Sequence, residues 1–256
     1  MRFDPIIAEM VWSYSRLSSF ENCPYQWVQR YIYREEAIPK FFAEYGTMMH
    51  RLLQRYFSGE LTKSQLSMEY VVRFASDIES EAPNSKIQRS YFEQGYQYFK
   101  SFSFPERKVL AVEQEFHFPF AGHDFIAYVD LQSCDNTGAL YVTDHKSRTL
   151  SGRSGRAKPT KSDRELDDYL RQLYIYAAAI HHERGVWPDF LEFNCFRSNE
   201  IIREPFRMDR MEETEAWAAH TIETITKTDE WYPILNYWFC KYICGVSEPC
   251  EYIELL

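Results

Sequence analysis

The chain has 256 residues, of which 45% are hydrophobic and 17% aromatic, and its formal net charge is −9. A chain of this length can bury a substantial core, so we expect a single domain over residues 1–256. The negative charge argues against a general electrostatic affinity for nucleic acid. The apolar run at residues 174–180 is far too short to cross a bilayer. Nothing at the N-terminus resembles a secretory signal, so we expect no membrane association and a reducing, cytoplasmic compartment.

Hydrophobic periodicity divides the chain into helical ends and a β-rich middle. It predicts helices over residues 16–33, 43–57 and about 65–102, strands over 109–118, 123–133 and 139–146, a helix over 165–184, a strand over 190–197 and a helix over 208–226. Residues 135–138 read Asp-Asn-Thr-Gly, which is a strong hairpin signal between the second and third strands. The middle of the chain therefore has the order three strands, helix, strand.

Four of the six cysteines lie near the two ends of the chain. Cys240, Cys244 and Cys250 form a C-x3-C-x5-C cluster, and Cys23 lies in the N-terminal part. Thiolates at such spacing can converge on one metal centre, with Cys23 as the expected fourth ligand. Such a centre would join the two ends of the chain.

Alternatives remain for these cysteines. They could be ordinary buried residues, although core cysteines have no reason to cluster. A disulfide is disfavoured in the expected reducing compartment. Four thiolates suit either zinc or an iron–sulfur cluster, and spacing alone does not decide between them. Cys134 and Cys195 lie on predicted strands and are expected in the core.

Two acidic residues lie at the ends of apolar runs. Asp130 ends the run FIAYVD, and Asp144 precedes His145 and Lys146 at the end of LYVTDHK. In a simple antiparallel register we expect Asp130 and Asp144 toward opposite ends of the hairpin, so that they meet only if the sheet bends. Asp144 and Lys146 are two residues apart on one strand and therefore face the same side.

Paired carboxylates have a chemical consequence. Two of them about 4 Å apart repel by roughly 4 kcal/mol at an effective dielectric near 20. A divalent cation reverses the sign of that interaction, and hard oxygen ligands favour Mg2+ or Mn2+. A lysine beside such a metal suits phosphodiester hydrolysis, because its ammonium can orient the attacking water and offset charge on the phosphate. An Asp-x-Lys tripeptide alone is equally compatible with an ordinary charged strand end.

Residues 145–161 reverse the net charge locally. They contain no acid and these six basic residues: Lys146, Arg148, Arg153, Arg156, Lys158 and Lys161. Glycine and serine in the same stretch predict a mobile loop. Because the screening length is about 8 Å at physiological salt, a polyanion at this loop would respond to it more than to distant acids. A solvated charged loop is the alternative interpretation.

Taken together in chain order, these features resemble a known family. The ordered residues are Ser15, Leu17, Phe20, Cys23, Pro24 and Tyr25, then Gly46 and His50, then Glu113, Asp130, Asp144 and Lys146, then Gln172 and Tyr176, and lastly Cys240, Cys244 and Cys250. The pattern resembles the PD-(D/E)XK nuclease superfamily in its RecB-like branch with an iron–sulfur cluster. That branch includes the AddB nuclease domain and the CRISPR-associated RecB-like exonucleases. The resemblance covers residues 13–250.

The resemblance implies a fold and a domain organisation. The fold is α/β, with a restriction-endonuclease-like core in which helices flank a mixed central sheet of helix–three strands–helix–strand order. The catalytic core would span residues 65–200. Residues 13–60 and 205–256 would form a helical, cysteine-rich lobe around it.

The resemblance also implies roles for individual residues. The implied metal ligands for Mg2+ or Mn2+ are His50, Asp130, Asp144 and the backbone carbonyl of His145. The implied catalytic residues are Asp130, Asp144, Lys146 and the auxiliary acid Glu113, for which Glu115 on the same strand face is the alternative. The implied ligands of a [4Fe–4S] cluster are Cys23, Cys240, Cys244 and Cys250. The implied DNA contacts are Gln172 and Tyr176, which share a helix face, together with Arg148, Arg153, Arg156, Lys158 and Lys161.

The implied activity is that of a metal-dependent DNA exonuclease acting on single-stranded ends. It would serve recombination or repair, phage replication or CRISPR spacer acquisition. The sequence has no G-x-x-x-x-G-K-[ST] phosphate loop, so we expect a stand-alone nuclease or a subunit that depends on a helicase or recombination partner. The alternative is a non-catalytic DNA-end-binding or complex-assembly module in which an iron–sulfur or zinc centre is purely architectural.

Overall fold

A five-stranded mixed sheet organises the computed structural model, which describes residues 4–248 and 250–255. The strands, in spatial order, are Lys108–Phe120 (β1), His123–Cys134 (β2), Leu140–Lys146 (β3), Phe190–Cys195 (β4) and Glu200–Pro205 (β5). The β3–β4 pair is parallel and the other three pairs are antiparallel. The predicted α/β class, with a mixed central sheet flanked by helices, is confirmed.

Helices precede, interrupt and follow the strands. They are Asp4–Ala8 (α1), Tyr14–Asn22 (α2), Pro24–Tyr31 (α3), Phe41–Phe57 (α4), Lys63–Ser76 (α5), Ser85–Lys100 (α6), Lys161–Arg184 (α7), Met208–Lys227 (α8) and Tyr237–Tyr242 (α9). Helix α7 is the crossover between the parallel strands β3 and β4. Its buried side chains recur at helical spacing, as in Leu166, Leu170, Leu173, Ala177 and Ile180, which is why it packs on the sheet. No helix among the described residues is long and apolar enough to span a membrane.

The predicted helix over residues 16–33 is two helices that meet at Cys23. Cys23 has an extended backbone (φ −166°, ψ 104°), and its Sγ accepts a 3.4 Å hydrogen bond from the backbone N–H of Gln26. Pro24 starts α3, a position where a missing N–H costs nothing. The sharp break therefore places the thiol of Cys23 at a helix junction.

Other elements also differ from the prediction. The helix predicted over residues 65–102 is α5 and α6, and Asn84 caps the second of them by accepting a hydrogen bond from the N–H of Ile87. Helix α7 begins four residues early because Thr160 and Asp163 form a capping box. Strand β5 and the short helices α1 and α9 were not predicted. They have only five or six residues each, too few for a clear period.

The described residues form two hydrophobic cores. The larger core joins the sheet to α2, α3, α7 and α8. The smaller core joins α4, α5 and α6, and its members include Tyr45, Leu52 and Phe99. Phe196, which follows β4, packs into this smaller core. Because α4 also contacts β1 and β2, it carries side chains of the helical layer to the edge of the sheet.

The smaller core predicts a position that cannot accept a methyl group. An added Cβ at Gly95 of α6 would lie 2.5 Å from the hydroxyl oxygen of Tyr70 and 2.7 Å from that of Tyr45. We expect Gly95→Ala to lower the free energy of unfolding by about 1–3 kcal/mol, as overpacked cores do. Urea denaturation measures this change.

Gly46→Ala is the matched control, because Gly46 is also helical and gains the same helix propensity. Its added Cβ would lie 3.7 Å from Ser147 Oγ, an ordinary contact. We expect this variant to be as stable as the parent or slightly more stable. Equal stabilities of the two variants would contradict the packing argument.

Candidate active site

Three carboxylates lie at matching positions on β1, β2 and β3. The β1–β2 register places Glu113 opposite Asp130. In the β2–β3 register Leu131 pairs with Thr143. Continuing that register by one residue places Asp130 opposite Asp144. The three acids therefore form one row across the sheet.

The expectation that Asp130 and Asp144 lie toward opposite ends of the hairpin is wrong. The last pair before the turn is Cys134 with Leu140. Asp130 lies four positions before Cys134, and Asp144 lies four positions after Leu140. In an antiparallel hairpin, residues that are equally far from the last pair before the turn lie opposite each other.

His50 of α4 completes a group with two of the acids. One ligand atom from each of His50, Glu113 and Asp130 lies within 4.8 Å of the other two. Nδ1 of His50 is 3.3 Å from Oδ2 of Asp130. The same oxygen accepts a 2.8 Å hydrogen bond from the backbone N–H of His145. An imidazole with two carboxylates is a donor set that suits a divalent cation.

Asp144 is buried and is held from the side of α7. Its Oδ1 accepts hydrogen bonds from Gln172 Nε2 at 2.7 Å and from the Tyr176 hydroxyl at 3.4 Å. Nζ of Lys146 lies 2.8 Å from Asp144 Oδ2 and donates to Gln172 Oε1 at 2.6 Å. The ion-pair contact is not aligned as a hydrogen bond, so Oδ2 has no hydrogen-bond donor among the described residues. This orphaned oxygen fits an additional positive partner.

Burial and mutual repulsion shift the pKa values of these groups. Burial, followed by the charge of Asp130, raises the pKa of Glu113 to about 7. Burial and then the charge of Asp144 raise the pKa of Asp130 well above its ordinary value. Burial lowers the pKa of His50, which favours the neutral, ligating form of its ring. A bound cation would relieve the repulsion among the acids.

Glu113, and not Glu115, belongs to this group. Glu113 has a φ of +48°, a left-handed conformation that is uncommon for a residue other than glycine. Glu115 is exposed, and its Oε1 lies 2.7 Å from Nε2 of His117. The two glutamates are two residues apart on β1, and the positive φ of Glu113 lies in the part of the strand that pairs with Asp130.

His145 is fixed by residues whose part in the site the sequence did not reveal. Its ring stacks on Phe57 at a centroid distance of 5.8 Å. Nδ1 lies 3.0 Å from Nδ2 of Asn194, which also donates a 2.7 Å hydrogen bond to the hydroxyl of Tyr98. The available signal was the asparagine itself, because a polar residue inside the apolar strand FLEFNC requires a buried partner.

Acidic residues fasten part of the basic loop. Arg153 pairs with Asp167 at 2.6 Å and with Glu204 at 3.2 Å. Arg148 pairs with Glu165 at 2.9 Å. These contacts tie the predicted mobile loop to α7 and β5. The other basic residues of the loop are exposed and make no ion pair within the described chain: Arg156, Lys158 and Lys161.

The four terminal cysteines line one small cavity although the chain separates Cys23 from the others by more than two hundred residues. Burial raises the pKa of the Cys244 thiol to about 11, and the charges of Cys23, Cys240 and Cys250 add to the effect. Among the described residues, no three of these sulfurs lie within 4.8 Å of one another. Four thiolates about 2.3 Å from one zinc ion would be about 4 Å apart. The four thiols therefore share one cavity without forming a preformed tetrahedral set.

The acidic row predicts that a divalent cation stabilises the protein. We expect Mn2+ or Mg2+ to raise the melting temperature of the parent protein, because the cation binds the folded acids preferentially. Asp130→Asn keeps an acceptor for the N–H of His145 but removes a charge. This variant should melt at the parent temperature or higher without metal, and should lose most of the metal-induced increase. Thermal denaturation with and without metal measures both effects.

Asp124→Asn is the matched control, because Asp124 is an exposed acid of the same strand. Its metal-induced increase should equal that of the parent protein. An undiminished increase in Asp130→Asn would exclude Asp130 from the cation site.

Comparison with known proteins shows the family of the chain. A family model of the PD-(D/E)XK nuclease superfamily matches residues 11–251. The crystal structure of a candidate exonuclease from Eubacterium rectale is similar in fold, with a TM-score of 0.53, 13% identity, and coverage of 87% of this chain and 84% of that chain. The crystal structure of SSO0001 covers 95% of this chain and 86% of that chain at 17% identity, with a TM-score of 0.38 that is too low to support an argument. No curated protein matches the chain. The chain belongs to the PD-(D/E)XK nuclease superfamily, and membership implies a hydrolytic nuclease that uses divalent metal and acts on DNA.

Proposed function

We propose that this protein is a Mg2+- or Mn2+-dependent exonuclease of the RecB-like branch that acts on single-stranded DNA ends. The observation that carries the proposal is the acidic row with a lysine beside it. Glu113, Asp130 and Asp144 lie side by side on three strands, and Nζ of Lys146 is 2.8 Å from Asp144. This arrangement combines a cation site with a fixed positive charge, the two requirements of metal-assisted phosphodiester hydrolysis.

In the proposed site, His50, Glu113 and Asp130 hold the cation, as their mutual approach within 4.8 Å supports. The orphaned oxygen of Asp144 and the backbone carbonyl of His145 are the further ligands of the proposal. The bound cation would supply Lewis-acid activation of the scissile phosphate and of the attacking water.

Lys146 would orient the attacking water and offset the charge that develops on the phosphate. Its ammonium is held between Asp144 and Gln172. The rings of Tyr169 and Phe193 lie 5.7 and 5.5 Å from Nζ. These four neighbours leave the ammonium little freedom, and a preorganised charge stabilises a transition state without reorganisation.

Gln172 and Tyr176 act in this proposal through Asp144. They are four residues apart on α7 and bond to each other at 2.6 Å, so they lie on one helix face. Both donate to Oδ1 of Asp144, which fixes the orientation of the carboxylate and leaves Oδ2 for the cation. Arg156, Lys158 and Lys161 would contact the DNA backbone, because they are exposed and carry no counter-charge in the described chain.

The cysteine cavity would hold a [4Fe–4S] cluster with a structural role. A cubane cluster binds each thiolate to a different iron atom, so it needs sulfurs further apart than one zinc ion does. The convergence of Cys23, Cys240, Cys244 and Cys250 on one cavity supports a shared centre. The nuclease would act in DNA recombination or repair, phage replication or CRISPR spacer acquisition, with a helicase or recombination protein as partner.

The catalytic assignment predicts the behaviour of Lys146→Ala. We expect this variant to cleave single-stranded DNA at least about 10²–10³-fold more slowly, the loss typical of removing one preorganised transition-state contact. The assay uses end-labelled single-stranded DNA with Mg2+, Mn2+ or EDTA. The parent protein should degrade the strand from its ends with either metal and leave it intact in EDTA.

Lys63→Ala serves as the control, because Lys63 is an exposed lysine at the start of α5. It should cleave at the parent rate. Cleavage by Lys146→Ala at the parent rate would refute the assigned role. A parent protein that binds DNA ends without cutting them would favour the assembly-module alternative.

The cysteine assignment predicts that Cys244→Ser loses both cluster and stability. We expect anaerobically purified parent protein to be brown and to contain iron. The variant should be colourless and melt at a lower temperature, because the centre joins the two ends of the chain. Cys134→Ser is the control, since Cys134 ends β2 outside the cavity, and should keep the iron. Zinc in place of iron, or full iron in Cys244→Ser, would overturn the assignment.

A further inference from the structure

A chain of aromatic rings crosses the surface between α6, α4 and α9. The ring centroids of Tyr91 and Phe42 are 5.2 Å apart, and those of Phe42 and Trp238 are 6.1 Å apart. Tyr242 lies 4.8 Å from Trp238 and 6.4 Å from Tyr237. We call these five rings the aromatic track. Trp238 and Tyr237 are 44% and 52% exposed, so the α9 end of the track presents its rings to solvent.

A positive charge lies at each end of the aromatic track. At the α6 end, Cζ of Arg197 is 3.9 Å from the ring centroid of Tyr91, and its Nη1 donates a 2.8 Å hydrogen bond to the hydroxyl. At the α9 end, Nζ of Lys241 lies 5.2 Å from the ring of Tyr237 and 5.6 Å from that of Tyr242. Rings combined with cations bind single-stranded nucleic acid, because bases stack on the rings and the cations attract the phosphates.

Helix α4 connects the aromatic track to the candidate active site. Phe42, Gly46 and His50 are spaced by four residues and therefore lie along one helix face. Phe42 belongs to the track, and His50 lies in the group with the acids. Between them, Gly46 approaches Ser147, the residue after Lys146, closely enough that an added Cβ would be 3.7 Å from its Oγ.

The length of this connection suits a short piece of single strand. Eight helical residues from Phe42 to His50 span about 12 Å. Stacked bases rise by about 3.4 Å each, so this length corresponds to three or four nucleotides.

We propose that the aromatic track stacks the bases of the single strand whose end lies in the active site. The inference rests on the proposed nuclease function and extends it to the path of the substrate. The strand would leave the acids along α4 and pass over Phe42 and Trp238 to Tyr237. Stacking on rings is tolerant of sequence. The aromatic track would therefore bind strands of any sequence, through bases that lie three or more nucleotides from the strand end.

In this proposal the cysteine centre would also contribute to DNA binding, because it would hold the helix that carries the exposed rings. Cys240 lies inside α9, between Trp238 and Tyr242, and Cys244 follows two residues after the helix ends. A centre that holds these cysteines fixes a helix of only six residues, which is too short to be stable alone. The exposed rings of α9 are thus attached to the centre rather than to a hydrophobic core.

The test measures the binding of labelled oligothymidylates in EDTA, which prevents cleavage. Fluorescence anisotropy compares strands of 3 and 15 nucleotides. We expect Trp238→Ala to weaken binding of the longer strand by about tenfold, the effect of losing one stacked base. Binding of the 3-nucleotide strand should change less than twofold, because it does not reach the track. Lys241→Glu is the second variant and should weaken the longer strand similarly, with a reduced salt dependence.

The control is Tyr232→Ala, since Tyr232 is 61% exposed and hydrogen-bonded to Glu230 outside the aromatic track. It should bind both strands like the parent protein. The proposal would be overturned if Trp238→Ala and Lys241→Glu bound the longer strand with the affinity of the parent protein. Equal losses for both strand lengths would also overturn it, because they indicate a general effect on the fold. These binding results are independent of cleavage, so an inactive parent protein would refute the proposed nuclease function and leave the track to be judged separately.

Discussion

The burial of negative charge in one row of the sheet is the constraint on which the rest of the site depends. Burial, and then the charge of Asp144, raise the pKa of Asp130; burial, and then the charge of Asp130, raise the pKa of Glu113. Unpaired buried charge is costly, so each acid requires compensation. Lys146 compensates Asp144, and the N–H of His145 compensates Asp130. This compensation is partial, because the pKa values of Asp130 and Glu113 stay raised. A divalent cation is the remaining partner that the geometry accommodates.

The site joins two layers of the molecule that have separate cores. The sheet and α7 supply the acids, the lysine and Gln172, whereas α4 brings His50 from the core that it shares with α5 and α6. His145 connects the two layers, because its backbone holds Asp130 and its ring stacks on Phe57 at the end of α4. A shift of α4 against the sheet would therefore move a cation ligand and a neighbour of His145 together.

The sequence predicted the order of elements well, because burial imposes a clear period on long segments such as α7. Asp130 and Asp144 were identified at the ends of apolar runs and Glu113 through the family resemblance, but the arrangement of the three acids was not predicted. The hairpin signal at residues 135–138 was correct, yet the register was misjudged, and it places Asp130 opposite Asp144. The positive φ of Glu113 could not be predicted from the sequence, because glycine is the residue that indicates this conformation. It reflects tertiary constraint at a strained position.

The cysteine cavity is far from the acids in sequence, but the segment that follows Cys244 contacts the backbone just before α4. Gly245, next to Cys244, accepts a 2.9 Å hydrogen bond at its carbonyl from the N–H of Ile38. An added Cβ at Gly245 would lie 3.1 Å from the carbonyl oxygen of Ile38, so the two segments are in close contact. Helix α4 begins three residues after Ile38 and carries His50. The proposed centre, by ordering Cys244, would therefore also fix the start of the helix that carries His50 to the acidic row, so its loss would disturb the acidic site without a direct contact to the substrate.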